Sequence, residues 1–212
     1  MLPSSLNFIA PAALNRFTVW SVLLAVLFVG VSLLTCLLMS HIMQRRGFKT
    51  YPVWQTALAG CLSLALYLRF GFSITAVQGV LLFLILLYAS CSDLTSHAMD
   101  DFLWIMVGML GLLSCYTVGL HSMLIGAVMV FVPQMLVALL PPHKALGGAD
   151  IKLSTALAFL LGWQKGLAAL LLGLLLAVIV MLIVQKINKK KKKQPFALIP
   201  FLSIGALVLF FI

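Results

Sequence analysis

The sequence is a succession of long apolar runs, and this feature limits what the chain can fold into more than any other. Hydrophobic residues make up 64% of the 212 residues, and charged residues make up 8%. A soluble domain could not keep that much apolar surface away from water. A bilayer core about 30 Å thick is crossed by about 20 mostly apolar residues in an α-helix, and most of the runs are close to that length. The pattern predicts a membrane protein.

We predict an all-α fold, a polytopic transmembrane helical bundle of about eight spans that forms a single integral membrane domain over residues 1–212. Helices satisfy their own backbone hydrogen bonds inside a membrane, whereas the sequence shows none of the short alternating segments of a closed barrel. The predicted spans lie at about 17–43, 52–67, 72–90, 102–120, 122–140, 146–163, 166–187 and 195–212.

Most basic residues lie in the short gaps between the apolar runs. The net charge of +10 could indicate a nucleic-acid partner, but this distribution is typical of a topology signal, so we expect membrane lipid and no nucleic acid as partners. If the loops after spans one, three, five and seven are cytoplasmic, that side holds 11 of the 14 Lys and Arg residues. The count predicts that both stretches with acidic residues lie at the cytoplasmic face.

Acidic residues are rare in this chain, which contains four aspartates and no glutamate. An ionisable side chain within a membrane span costs about 2.5 to 3.5 kcal/mol on insertion scales, so it marks a functional site by default. Asp93 follows span three, and Asp150 lies about one turn inside span six. Small residues at Gly147, Gly148 and Ala149 would allow another helix or an extended substrate to approach Asp150 closely.

Two carboxylates that share a partly dry pocket cannot both ionise easily, so one of them keeps a proton. The ionised carboxylate can then take a proton from water while the protonated one polarises a scissile carbonyl, as in aspartyl proteases. Other interpretations stay open at this point. Asp150 could pair with Lys152 or cap span six, and Asp93 could be an exposed loop acid.

The remaining acids, Asp100 and Asp101, are predicted to cap span four, because acids favour the positive end of a helix. Asp93, His97 and Asp101 also recur every four residues, and on a continuous helix they would form a face able to hold a divalent ion. A loop fits this stretch better than a helix, so we predict neither a metal nor another cofactor.

The residues around Asp150 resemble the signature of a known family. Gly147-Gly148-Ala149-Asp150-Ile151-Lys152-Leu153 resembles the G-x-G-D-x-K-L signature of the type IV prepilin peptidases, which are bacterial GxGD intramembrane aspartyl proteases. Asp93-Leu94 is similar to the first aspartate of that family. Its C-terminal signature is similar to Pro195-Phe196 with Pro200-Phe201-Leu202 and Gly205-Ala206, so the resemblance covers about residues 82–209.

The resemblance implies an endopeptidase that removes the short basic leader of a prepilin or pseudopilin. Cleavage would fall after a Gly, at the cytoplasmic face of a bacterial inner membrane. Asp93 and Asp150 would be the catalytic pair, and no metal or organic cofactor would be required. The residues that would support them are Gly147, Gly148, Ala149 and Lys152.

The chain departs from the family pattern at several points. Ala149 replaces the second Gly of the signature, and residues 95–101 replace the usual basic residues and the Ile-Pro-Asn or Ile-Pro-Asp element after the first aspartate. The gap at 44–51 contains no cysteine. We therefore predict a short form without the cysteine-bearing methyltransferase domain of the larger members.

Two other functions are compatible with the sequence. A transporter or channel subunit could use Asp93 and Asp150 to relay protons or cations, and an inactive homologue could act only as a scaffold in pilus assembly or secretion. For the peptidase, the acids Asp100 and Asp101 offer a contact for a basic leader. The sequence gives no prediction of oligomeric state.

Overall fold

Helices account for the fold of the described part of the chain. The computed structural model describes residues 19–48, 51–96, 99–139, 147–187 and 197–212, and within them it has nine α-helices and no strand. The helices are α1 (Val19–Arg45), α2 (Pro52–Phe70), α3 (Ile74–Ser96), α4 (Phe102–Leu112), α5 (Cys115–Val118), α6 (Leu120–Leu139), α7 (Gly148–Leu161), α8 (Trp163–Ile187) and α9 (Ile199–Phe211). The predicted all-α polytopic bundle is confirmed.

The helices differ in length more than the sequence indicates. Helices α1, α2, α3, α6 and α8 are long and apolar enough to cross a membrane. In contrast, α4, α7 and α9 have 11, 14 and 13 residues, fewer than the roughly 20 that a full crossing needs. The predicted span at 102–120 is divided into α4 and the four-residue α5, and Gly119, with a φ of 83°, then ends α5 before α6 begins.

The chain divides into two compact units, residues 1–84 and 85–212, with the boundary inside α3. In the first unit, α1 packs on α2 through an aromatic cluster in which the Phe28 ring centroid lies 6.0 Å from that of Tyr67 and 6.2 Å from that of Phe72. The Tyr67 hydroxyl donates a hydrogen bond to the Ser21 carbonyl over 2.8 Å. The polar tip of the half-buried Tyr67 thus has a hydrogen-bond partner.

Helix α7 lies at the centre of the second unit and packs against α4, α6, α8 and α9. Eight of its 14 residues are buried. Close packing on several sides requires small residues, and α6 and α8 supply them. A Cβ at Gly126 would lie 2.8 Å from the Ala158 carbonyl oxygen, and a Cβ at Gly166 would lie 2.7 Å from the Ala158 Cα. Lipid is as apolar as the side chains, so the hydrophobic effect does not drive membrane helices together. Their association depends on close packing contacts of this kind.

Helix α9 lies directly on α8 for the same reason. A Cβ at Gly173 would approach the Leu202 Cα to 2.9 Å, and a Cβ at Gly205 would collide with the Ala169 carbonyl oxygen. These two glycines fix the height of α9 along α8. They therefore also fix the place at which the N-terminus of α9 meets the other helices of the second unit.

The glycine contacts give a stability prediction. We expect Gly126→Ala to destabilise the protein by about 1 to 3 kcal/mol, because the added methyl overlaps backbone atoms of the α7–α8 turn. Thermal unfolding in detergent measures the effect. Gly108→Ala in α4 is the matched control, because nothing lies within 4 Å of its Cβ position. Equal melting temperatures for the two variants would contradict the packing argument.

Candidate active site

Asp93 lies in the last turn of α3, on a face that is buried. Its side chain is 8% exposed, and Leu86 and Ala89 on the preceding turns are completely buried. It is therefore not the exposed loop acid that the sequence left as an alternative. A buried carboxylate is stable only where hydrogen bonds or opposite charges replace the lost water.

The start of α9 supplies a hydrogen bond to Asp93. The Ile199 backbone N–H, the first of α9, donates to the Asp93 Oδ2 over 3.1 Å. The Ser203 hydroxyl bonds to the Ile199 carbonyl over 2.8 Å, and the Ser90 hydroxyl lies 3.2 Å from that of Ser203. Two adjacent turns of α3 are thus bonded to the first turns of α9. Because the first N–H groups of a helix carry a partial positive charge, this arrangement favours a carboxylate at Asp93.

Asp150 is the third residue of α7, and the N-cap residue of this helix, Gly147, has an extended backbone. Its side chain is half-buried, and its backbone N–H donates to the Gly147 carbonyl over 3.1 Å. A Cβ at Gly147 would lie 2.8 Å from the Asp150 Oδ2, so the carboxylate folds back over a position that only Gly can occupy without a shift. Gly148 has open space at its Cβ position, and Ala149 is half-buried.

The fold brings Asp93 and Asp150 together although 56 residues separate them in sequence. Their carboxylates are close enough for the charges to interact. Like charges oppose each other, so an ionised Asp93 disfavours a second negative charge on Asp150.

Lys152 does not pair with Asp150, as one interpretation of the sequence allowed. Its Nζ lies 2.6 Å from the Asp101 Oδ1 and 5.9 Å from the centroid of the Trp104 ring. The hydrogen bond and the positive charge of Lys152 hold the pKa of Asp101 below its usual value. Asp101 is the N-cap residue of α4 but makes no capping hydrogen bond with its side chain. Asp101 therefore lies at the N-terminus of α4, where the capping prediction placed it, but its carboxylate binds Lys152 and not the α4 backbone.

Asp100 has a different partner from Asp101. It accepts a hydrogen bond from the Tyr88 hydroxyl over 3.1 Å, which connects α3 to the second residue before α4. Both acids that the sequence proposed for a leader contact thus have partners within the protein. Their side chains are nevertheless exposed, so another cation can reach them.

A polar pair that sequence reasoning missed lies one turn below Asp150. The Ser154 hydroxyl, which is buried, donates to the Gln134 Oε1 of α6 over 2.7 Å. Gln134 follows Pro133, which removes one backbone donor from α6. The signal was available, because Ser154 lies four residues after Asp150 and therefore on the same face of α7.

A metal site finds no support among the described residues, in which no three His, Cys, Asp or Glu side chains form a group able to hold an ion. The alternative metal face included His97, which lies outside the described residues. The lysine run at 189–193 and the Pro195-Phe196 part of the C-terminal signature also lie outside them.

Comparison with known proteins gives a family match. Residues 80–182 match the family model described as the type IV leader peptidase family. The match contains Asp93, Asp150 and Lys152, and it ends before α9. No curated protein and no solved structure matches the chain.

The proximity of the two aspartates can be tested without any activity. In a background in which the four cysteines are replaced by Ala, we expect Asp93→Cys with Asp150→Cys to be cross-linked by a short bismaleimide, because the two carboxylates interact. Mass spectrometry of a protease digest reads the product.

Asp93→Cys with Lys165→Cys is the control for this experiment. Lys165 lies in the first turn of α8, and the 14-residue α7 places it about 21 Å from the Asp150 end of the bundle. Cross-linking of the control pair and not of the aspartate pair would refute the arrangement.

Proposed function

We propose that this chain, whose residues 80–182 belong to the type IV leader peptidase family, is an aspartic endopeptidase that removes the basic leader of a prepilin or pseudopilin. The family match supports a leader-peptidase-like protease in general. The observation that supports the aspartic mechanism is the pairing of Asp93 with Asp150, because two interacting carboxylates are the minimum apparatus for water activation and carbonyl polarisation.

The surroundings of the two acids support a division of labour. Asp93 accepts the Ile199 N–H at the positive end of α9, which favours its ionised form, so we assign it the general base. Asp150 carries the shared proton and acts as the general acid. The Asp93 carboxylate takes a proton from water as the water oxygen attacks the scissile carbonyl, and Asp150 gives its proton to the carbonyl oxygen. The protonated Asp93 then protonates the leaving amine as the C–N bond breaks, and one hydroxyl of the tetrahedral intermediate returns its proton to Asp150 as the new carboxyl group forms.

The charge distribution and the family resemblance support a cleavage site at the cytoplasmic face. With 11 of 14 basic residues assigned to the cytoplasmic side, Asp93 and Asp150 lie at the cytoplasmic face of a bacterial inner membrane. The substrate then enters with its apolar segment in the bilayer and its leader at the surface, with the Gly of the cleavage site at the carboxylates. The open space at Gly148 leaves room beside Asp150 for an extended backbone.

The link between α1 and α2 supports a short form of the enzyme. Helix α1 ends at Arg45 and α2 begins at Pro52, so this link is too short to hold a folded domain. We therefore assign the chain peptidase activity without the cysteine-bearing methyltransferase domain of larger family members.

The catalytic assignment predicts an asymmetric loss of activity. We expect Asp93→Asn and Asp150→Asn each to slow leader removal from a co-expressed prepilin by at least about 100-fold, because each removes a proton-transfer group. Asp150→Asn should keep more residual activity than Asp93→Asn, since an amide still donates a hydrogen bond to the carbonyl and cannot serve as a base. Its pH profile should also lose the fall at high pH that wild type shows when the acid deprotonates.

The shift in prepilin size on a gel measures leader loss, and equal melting temperatures of the variants show that the fold is retained. Full leader removal by the double variant would end the peptidase proposal. Ion flux into vesicles that depends on both aspartates, without cleavage, would instead indicate a transporter.

The leader contact predicts a loss that depends on substrate charge. We expect Asp100→Asn combined with Asp101→Asn to raise KM several-fold for a leader rich in Lys or Arg, because two exposed carboxylates near the pair are neutralised. A substrate with Gln at the same leader positions should show no such rise. Equal processing of the basic leader by wild type and the double variant would remove the contact from the proposal.

A further inference from the structure

Lys152 occupies a place that would suit a cation from outside the protein. Its ammonium contacts the Asp101 carboxylate at 2.6 Å and faces the Trp104 ring at 5.9 Å. A carboxylate beside an aromatic face is a recognition arrangement for Lys and Arg side chains. Asp101 and Trp104 lie at the start of α4, whereas Lys152 comes from α7, two residues after Asp150. The cation is therefore delivered from the helix that carries one of the proposed catalytic acids.

The pair is too exposed to serve as a strong tether between the two helices. The side chain of Lys152 is 47% exposed and that of Asp101 is 76% exposed. Ion pairs between exposed side chains are weak, are screened by salt and exchange partners readily. The contact between α4 and α7 already has close packing, since a Cβ at Gly111 would lie 3.3 Å from the Leu160 Cα. The ion pair adds little to this packing, so its position beside the acids requires another explanation.

We propose that Lys152 is an internal competitor for the substrate leader: its ammonium occupies a cation site formed by Asp101 and Trp104, and a Lys or Arg of the leader replaces it on binding. The inference rests on the proposed function, because it names the residue that sets the charge requirement of that reaction. A neutral leader gains nothing at this site, since Lys152 stays in place. A basic leader gains the difference between its own contact and that of Lys152.

The chemistry of the site also predicts whether a leader Arg or a leader Lys binds there more tightly. Arg binds a carboxylate through two parallel hydrogen bonds and stacks its planar guanidinium on an aromatic ring, whereas Lys offers a single ammonium. An Arg leader therefore displaces Lys152 more effectively than a Lys leader of the same charge. The internal cation thus makes the enzyme select on shape as well as on charge.

The test uses full-length protein in lipid nanodiscs and three synthetic substrates. They share an apolar segment of about 20 residues after the scissile Gly and differ only in two leader positions, which are both Arg, both Lys or both Gln. The variants are Lys152→Met, which keeps the length of the side chain without its charge, and Lys152→Gln as a second replacement. Lys165→Met, at the exposed start of α8, is the matched control for the loss of one positive charge.

We expect both Lys152 variants to lower the KM of the Lys leader relative to the Gln leader by about twofold to fivefold, the range that exposed ion pairs support. Wild type should bind the Arg leader more tightly than the Lys leader. Adding Asp101→Asn should abolish the gain from Lys152→Met, and Lys165→Met should leave the KM ratio unchanged. An equal change in KM for all leaders, or a fall in kcat for all of them, would overturn the proposal and make Lys152 a structural residue.

A binding measurement separates this inference from the peptidase proposal. In a variant with Trp20, Trp54 and Trp163 replaced by Phe, Trp104 fluorescence reports a cation over its ring. Titration with a leader peptide that lacks the scissile Gly should give a Kd that falls on Lys152→Met for Lys peptides and not for Gln peptides. If wild type cleaves none of the substrates, the peptidase proposal fails, and this titration alone then decides the exchange. An unchanged Kd overturns it.

Discussion

The hydrogen bond between the α9 N-terminus and Asp93 is the interaction on which the rest of the site depends. A carboxylate that is 8% exposed has lost nearly all its water, and the Ile199 N–H is a donor that replaces part of it. The donor comes from a residue 106 positions later in the chain. Its position follows from the glycine contacts that place α9 against α8. Helix packing in the second unit therefore also holds the hydrogen-bond donor of Asp93 in place. A small shift of α9 would remove this donor from a buried carboxylate.

The shortness of α7 is the second constraint. With 14 residues, α7 is about 21 Å long, which is about two thirds of the thickness of a bilayer core, and it packs against α4, α6, α8 and α9. Close contacts from α4, α6 and α8 surround it where small residues allow. This places Asp150 where it is half-buried and faces a second acid, yet remains open on the side of Gly148. An acid that transfers a proton to a substrate must be partly buried and must also be open to the substrate.

The sequence predicted the parts of this structure that local chemistry determines. Apolar length predicted the long helices, and the rarity of acids in an apolar chain singled out Asp93 and Asp150. The catalytic role of these residues stays a prediction. The sequence did not predict the division of 102–120 into α4 and α5, because an apolar run continues across the break. It also missed the partner of Lys152, because Asp101 lies 51 residues away, whereas Asp150 lies two residues away and was the partner that the sequence offered. The contact of Ile199 with Asp93 has no local signal, and the place of Ser154 on the Asp150 face of α7 did not identify Gln134 as its partner.

The order of elements along the chain has a consequence for synthesis. Asp93 leaves the ribosome long before Ile199 does, and so do the helices α4 to α8 that lie between them. Until α9 is made and inserted, the carboxylate of Asp93 lacks the backbone donor that it has in the finished fold. A nascent chain therefore holds both acids in the membrane without a complete site, and it gains one only when its last described helix joins α8. The timing of translation thus separates insertion of the acids from assembly of the centre that they form.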